Sequence, residues 1–224
     1  TISPLAMKVL SQLNRGKEVN CPVCDHSYQK FLPYGRIARE NALCPNCLAL
    51  ERHRLMWLFL QEKTNFFTAP LKVLHVAPEH CFIKRFEALP NLDYITADIE
   101  SPLAKVKMDV HAIPFPDNTF DVVFCNHVLE HVDDDLLACS EFNRVLKPGG
   151  WGILQSPVYP LEATLEDKTI TDPAERERLF GQRDHVRKFG KDYAARLRGS
   201  GIQIEENQFV KEIAPEKVKQ YALA

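Results

Sequence analysis

Two cysteine pairs, Cys21-Pro-Val-Cys24 and Cys44-Pro-Asn-Cys47, constrain this chain more than any other feature. Their spacing is C-x2-C-x19-C-x2-C. A CxxC turn lets two thiolates reach one ion, and two such turns complete a tetrahedron with Zn–S distances of about 2.3 Å. A redox dithiol would need only one pair. Four thiolates leave no open coordination position, so the expected ion is a structural Zn2+. Cys81, Cys125 and Cys139 read as small apolar fillers. No secretory pattern accompanies the pairs, so a disulfide framework is not expected and the chain reads as cytoplasmic.

Composition narrows the class. Of 224 residues, 45% are hydrophobic and 26% charged, which excludes disordered and fibrous chains. No apolar run approaches the length needed to span a bilayer, so no membrane partner is expected. A net charge of −2 argues against a protein whose main work is to neutralise many phosphates. Residues 1–63 are mildly basic, with nine Lys and Arg against five Asp and Glu. His26, Tyr28, Phe31, Tyr34, Arg36 and Arg39 are candidates for an RNA-stacking surface. They equally suit the core of a module too small to fold without a metal, and that reading is favoured.

Residues 2–14 suit a short helix with Ser3 as N-cap and Pro4 at its first position. Residues 48–62 form a second, with Leu48, Leu55, Leu58 and Phe59 on one face. Pro70 ends a broken stretch, so residues 1–63 are expected to be one module and 71–224 a second domain. From Leu71 onward short apolar runs alternate with helical patterns. Strands are expected at 72–77, 93–99, 120–126, 151–156 and 202–210, and helices near 80–89, 133–146 and 191–199. That alternation predicts a doubly wound, mostly parallel α/β sheet. Asp133 to Asp135 open the helix at 133–146, and Pro148-Gly149-Gly150 stops it. Residues 157–190 are too long for an ordinary connection, so a lid-like insertion is expected there. Inside it, Asp172, Pro173 and Gly181 delimit another helix. The tail APEKVKQYALA reads as a final helix.

The stretch 108–157 carries Asp109-Val110, IPFPDNTFD, the strand FDVVFCN, HVLEHV and RVLKPGG in that order. It resembles class I S-adenosylmethionine-dependent methyltransferases, especially the group called methyltransferase type 11, and the likeness extends in order over 71–210. The resemblance implies a Rossmann-like fold and S-adenosylmethionine as cofactor. It implies that Asp98, followed by Ile99, holds the ribose hydroxyls, and that Asp109 accepts from the adenine amino group with Val110 near the base. Asn126 and His127 then face the methionine moiety and the transferred methyl. The family's first strand runs into an acid and a glycine loop. Here the sequence is KVLHVAPEHC, with His75 in the acid's place and Ala77, Glu79 and Cys81 in the glycine places. Ala77, Pro78 and Glu79 are expected to line the cofactor, with Glu79 on its ammonium.

The insertion holds Asp184, His185 and Arg187 close together. An Asp-His neighbourhood suits a general base, and Arg187 suits an acidic acceptor or the cofactor carboxylate. With His127 these are the candidate catalytic residues, and they suit a surface loop equally well. The expected function is methyl transfer to a small-molecule acceptor. An RNA methyltransferase that docks through its zinc ribbon and a non-catalytic binding protein are the alternatives.

Overall fold

The computed structural model describes residues 4–223. The expected N-cap Ser3 lies outside the described residues. The elements run α1 (Pro4–Leu13), β1 (Arg15–Cys21), β2 (His26–Tyr28), β3 (Leu32–Tyr34), β4 (Arg39–Leu43) and α2 (Glu51–Lys63). There follow β5 (Leu71–Val76), α3 (His80–Glu87), β6 (Leu92–Asp98), β7 (Val106–Lys107), β8 (Phe120–Asn126), α4 (Asp135–Val145) and β9 (Leu146–Gln155). The rest comprises β10 (Leu165–Glu166), α5 (Pro173–Phe180), β11 (Arg187–Lys188), α6 (Tyr193–Arg198), a 3-10 turn (Phe209–Glu212) and α7 (Pro215–Gln220). No helix among the described residues is long and apolar enough to cross a membrane.

The chain forms two compact units that do not follow one cut in sequence. The first joins Thr1–Ala69, Glu79–Asn91 and Asn207–Ala224, and the second joins Pro70–Pro78 and Leu92–Glu206. The linear division 1–63 and 71–224 would have put α3 and α7 with the sheet, but they cluster with the cysteine pairs instead.

In the first unit, β1 pairs with β2 and β3 with β4, both antiparallel. Helix α2 begins at Glu51 rather than 48, because Leu48 adopts a left-handed φ of 64° that no helix accommodates. It is also buried on more than one side. Trp57 stacks with Phe82 and Phe86 of α3, and Leu58 packs with Phe209, Ile213 and Leu223. Arg54 is wholly buried and donates to the carbonyls of Ala42, Ala49, Tyr221 and Ala222. Tyr28 and Phe31 are buried core residues, and the Arg54 guanidinium lies 4.4 Å over the Phe31 ring. Arg39 is engaged with Glu51 at 2.9 Å. The aromatic surface imagined for RNA thus loses its two central rings to the core.

The second unit is a doubly wound, Rossmann-like α/β fold. Among its described residues a parallel sheet runs β7-β6-β5-β8-β9. The chain winds outward from β5 through β6 and β7, then restarts at β8 on β5's other side. That places a topological switch point between the C-terminal ends of β5 and β8, where open α/β sheets bind ligands. β5 and β8 are almost continuously buried, as central strands covered on both faces must be.

Three local expectations change. Strand β9 begins at Leu146, and the register slips between Phe120 opposite Leu146 and Val122 opposite Trp151. The Pro-Gly-Gly turn therefore loops out of a continuing strand, with Gly149 at φ 79°, and does not precede a new one. Residues 202–208 are not a strand. Ile202 and Ile204 pack on the core, which explains the alternation, but the segment has no ladder partner. The outer strand is instead the two-residue β7. The insertion contains α5, capped by Asp172 and ended by left-handed Gly181 as its sequence implied, together with the ribbon β10–β11.

Candidate functional site

The two cysteine knuckles are built alike. Asp25 N donates to Cys21 O at 2.7 Å, and Leu48 N donates to Cys44 O at 3.0 Å. Asp25 and Leu48 both take left-handed conformations, which turn the chain back beneath the sulfurs. All four sulfurs lie within 4.8 Å of one another. Cys21 Sγ stands 3.6 Å from Cys47 Sγ, and Cys24 Sγ stands 3.7 Å from Cys44 Sγ. A disulfide would need about 2.05 Å. The edge of a tetrahedron with metal–sulfur bonds of about 2.3 Å is about 3.8 Å, so the donor set fits a four-thiolate ion. Hydrogen bonds from the neighbouring thiols pull Cys24 and Cys44 down, and the same crowding with burial pushes Cys21 and Cys47 up.

A second group of residues sits at the C-terminal edge of the parallel sheet. Ala77, just after β5, has φ 48°, and His127, just after β8, has φ 56°. Two non-glycine residues thus hold left-handed backbone on either side of the switch point, a conformation costing about 1–3 kcal/mol and concentrated at functional sites. Their amides are fixed by Ala97 O at 2.9 Å and Gln155 O at 2.7 Å. Ala77 makes this turn without a glycine. Pro78 follows it, buried.

Asp98 ends β6 with Oδ1 accepting from the amides of Glu100 and Ser101 at 2.8 and 2.7 Å. Ile99 beside it is 55% exposed, unusual for an isoleucine. Asp109 Oδ1 accepts from His111 N and from His111 Nδ1 at 2.8 Å. His111 Nε2 in turn accepts from Asp134 N, which fixes the tautomer with the proton on Nδ1. Each carboxylate is therefore held by one oxygen, and the other accepts no hydrogen bond from the described residues. The two stations are adjacent, because Met108 N donates to Asp98 O.

The remaining expected cofactor residues divide. Asn126 ends β8, buried, and its partner across the ladder is Gln155, whose Oε1 is buried without a hydrogen-bond partner among the described residues. Val110 is packed in the core. Glu79 is the N-cap residue of α3, with its carboxylate 3.8 Å from His53 Nε2 within the first unit. His75, in the family acid's position, is wholly buried with Nδ1 2.7 Å from the Tyr94 hydroxyl.

The Asp-His-Arg trio of the insertion does not act as one cluster. Arg187 is fully buried and all its donors are spent, on the carbonyls of Leu129, Val132 and Asp133 and on Glu166 Oε1. It has no N–H left for an acceptor or a cofactor carboxylate, because the guanidinium is the tie between β11 and the 129–133 turn. Asp184 is exposed and pairs with His131 Nδ1 at 3.2 Å. His185 is buried, its Nδ1 3.2 Å from Phe180 O and its ring edge-on to His131. Burial, helped by nearby His131, lowers the His185 pKa.

Sequence reasoning passed over Glu130. Its buried carboxylate receives His127 Nδ1 at 3.2 Å and Ser156 Oγ at 2.8 Å. Burial alone would raise it, but the bonds from His127 and Ser156 win and hold it ionised below the usual carboxylate range. The available signal was the spacing in HVLEH, which brings three polar residues out of an apolar turn.

Burial would likewise raise Glu166, yet Arg187 and then Arg196 hold it below its ordinary value. A depressed carboxyl binds fewer protons folded than unfolded, so its contribution is complete above about pH 4.3 and is lost as pH falls through the lower folded value. Glu166→Gln is expected to flatten the acid limb of a stability–pH profile between about pH 2 and 5. A limb of unchanged slope would remove Glu166 from the account.

A methyltransferase-domain family profile matches residues 72–154. An uncharacterised methyltransferase of Schizosaccharomyces pombe is 44% identical over 59 residues, 24% of this chain and 21% of that protein. Demethylmenaquinone methyltransferase of Staphylococcus aureus is 47% identical over 55 residues, 25% of this chain and 22% of its own length. The chain thus spans about a fifth of the length of these curated relatives. Among solved structures, a Bacillus halodurans protein proposed to be a methyltransferase gives a TM-score of 0.47 at 24% identity, over 68% of this chain and 67% of that one.

Proposed function

We propose that the chain is an S-adenosylmethionine-dependent methyltransferase acting on a small-molecule acceptor, with one structural Zn2+ held by Cys21, Cys24, Cys44 and Cys47. The observation that carries the methyltransferase reading is the pair of half-engaged carboxylates, Asp98 and Asp109, at adjacent stations beside the switch point of a segment matching the methyltransferase profile. The zinc reading is supported by sulfur separations of 3.6 and 3.7 Å. A small acceptor is favoured because Tyr28 and Phe31 are core residues and offer no stacking platform for a nucleic acid.

S-Adenosylmethionine supplies a methyl group already activated on a sulfonium, so the protein's task is chiefly positioning. Asp98 accepts from the ribose hydroxyls through its open oxygen, and the exposed Ile99 offers an apolar surface to the base. Asp109, oriented by His111, accepts from the adenine amino group. The strained turns at Ala77 and His127 bring backbone close to the ligand at either side of the crevice. His127, braced by Glu130, stands at the end where an acceptor must lose a proton if its nucleophile is protonated.

Calorimetry with S-adenosylmethionine tests this. Asp98→Ala and Asp109→Ala are each expected to weaken binding by about 1–3 kcal/mol, the cost of leaving a buried polar group unpaired. Unchanged affinity in both would reject the assignment. Incubation with labelled methyl donor and cell extract should place label in the small-molecule fraction, and label in RNA would instead select the docking-module alternative.

A further inference from the structure

Three side chains near the end of β8 bring potential ligand atoms within 4.8 Å of one another: Glu130, His131 and His185. His185 is 1% exposed, and its Nε2 has no hydrogen-bond partner among the described residues. A buried imidazole nitrogen left unpaired costs about 1–3 kcal/mol, so a close-packed interior does not keep one idly. The other ring nitrogen explains its state. Nδ1 faces Phe180 O at 3.2 Å, and a carbonyl can only accept, so the proton sits on Nδ1 and the buried Nε2 keeps its lone pair.

His131 repeats the arrangement. Its Nδ1 lies 3.2 Å from Asp184 Oδ2, a carboxylate that fixes the proton there and leaves the Nε2 lone pair for a metal. An imidazole whose far nitrogen is tied to a carbonyl or carboxylate is the usual outer arrangement of a metal-bound histidine. Glu130 supplies the anion. It is 2% exposed and steadied by Ser156 and His127, so its orientation is set before any ion arrives. The insertion is held against this turn by Val186 N on Glu130 O at 2.9 Å and by Arg187 on the Leu129 and Val132 carbonyls.

We propose that Glu130, His131 and His185 form a second metal site, distinct from the cysteine cluster, that binds one divalent first-row transition ion. Ligands about 2.1 Å from a shared ion stand at most about 4.2 Å apart, so small side-chain rotations close the set. Two imidazoles and one carboxylate prefer Mn2+, Fe2+, Co2+ or Zn2+ over Mg2+ and Ca2+, which favour all-oxygen shells. Three protein donors leave coordination positions open, unlike the four thiolates of the other cluster. Such positions would take water or an acceptor oxygen. That last use rests on the methyl-transfer reading, whereas the binding of the ion does not.

The test uses the whole protein with its cysteine cluster already filled with zinc, titrated with Co2+ and followed by visible absorption and metal analysis. One additional equivalent is expected, with weak ligand-field bands and no thiolate charge-transfer band. Glu130→Gln and His185→Gln should each raise the Kd for Co2+ at least about tenfold while zinc content stays at one per chain. Asp184→Ala, an exposed change that leaves the fold untouched, should raise it by about tenfold through its hold on His131. Excess Mg2+ should not compete. Failure to take up a second equivalent, a charge-transfer band on the added cobalt, an affinity indifferent to all three substitutions, or equal competition by Mg2+ would each overturn the proposal. Retained S-adenosylmethionine binding alongside any of these would leave the methyltransferase reading standing.

Discussion

Stripping the proposed zinc from the four-cysteine cluster, or replacing Cys44 by Ser, is expected to unfold the first unit as a whole. Structural zinc contributes about 10–16 kcal/mol of apparent binding energy in small modules, more than a unit of this size can replace from its core. The loss should reach far from the knuckles because of Arg54. Among the described residues this buried guanidinium has no carboxylate partner within hydrogen-bond reach, and it ties Ala42 and Ala49, beside the cysteines, to Tyr221 and Ala222 far along the sequence. Burial works against its charge, and the cysteine sulfurs, Cys21 foremost, are among the groups that favour it. Removing the metal therefore opens the knuckles whose flanking carbonyls, Ala42 and Ala49, Arg54 holds. The two tryptophans report separately, Trp57 from the first unit and Trp151 from β9 in the second. In a Trp151→Phe background, chelation should shift Trp57 emission to the red and abolish its near-ultraviolet dichroism. An unaltered Trp57 signal after complete metal removal would show that the cluster is not what holds this unit.

The parts visible in the sequence were those specified within a few neighbouring residues. β8 holds the apolar run Val122 to Cys125, α5 carries its own cap, proline and terminal glycine, and the knuckles announce themselves by spacing. What escaped depends on distant partners or on very short pairing. β7 has two residues, too few for any periodicity. Residues 202–208 alternate as a strand would, yet no strand among the described residues pairs with them, since half-burial alone produces that pattern. The association of α3 and α7 with the cysteine unit rests on Trp57, Phe86, Leu58 and Ile213, each an ordinary core residue when read locally. At the sheet edge, Asp98 and Asp109 could be placed because they end or follow strands. Glu130, His131 and His185 could not, because only the folded insertion brings His185 to the β8 turn. Arg187 was misread for a related reason. A charged residue next to Asp and His suggests chemistry, while its burial depends on carbonyls contributed by another segment.

Replacing Arg187 by Met is expected to destabilise the second unit by about 3–5 kcal/mol, because it breaks a buried charge network from inside. The guanidinium donates twice to Glu166 Oε1, at 3.0 and 2.7 Å, and Glu166 Oε2 accepts from Arg196, which in turn grips Asp135 at 2.6 and 2.8 Å. Methionine matches the stem in volume but leaves the carbonyls of Leu129, Val132 and Asp133 without donors and Glu166 with one cation instead of two. Arg187→Lys keeps the charge and loses the planar fork, so it should fall between wild type and Arg187→Met. Urea unfolding followed through Trp151 in a Trp57→Phe background would measure both, with the midpoint falling and the slope unchanged. Because Arg187 anchors the segment that carries His185, the same variants should weaken Co2+ binding more than S-adenosylmethionine binding. A catalytic Arg187 would behave in the opposite way. Stability within about 0.5 kcal/mol of wild type, combined with a raised KM for the acceptor, would place the side chain at the reacting centre and contradict the structural role.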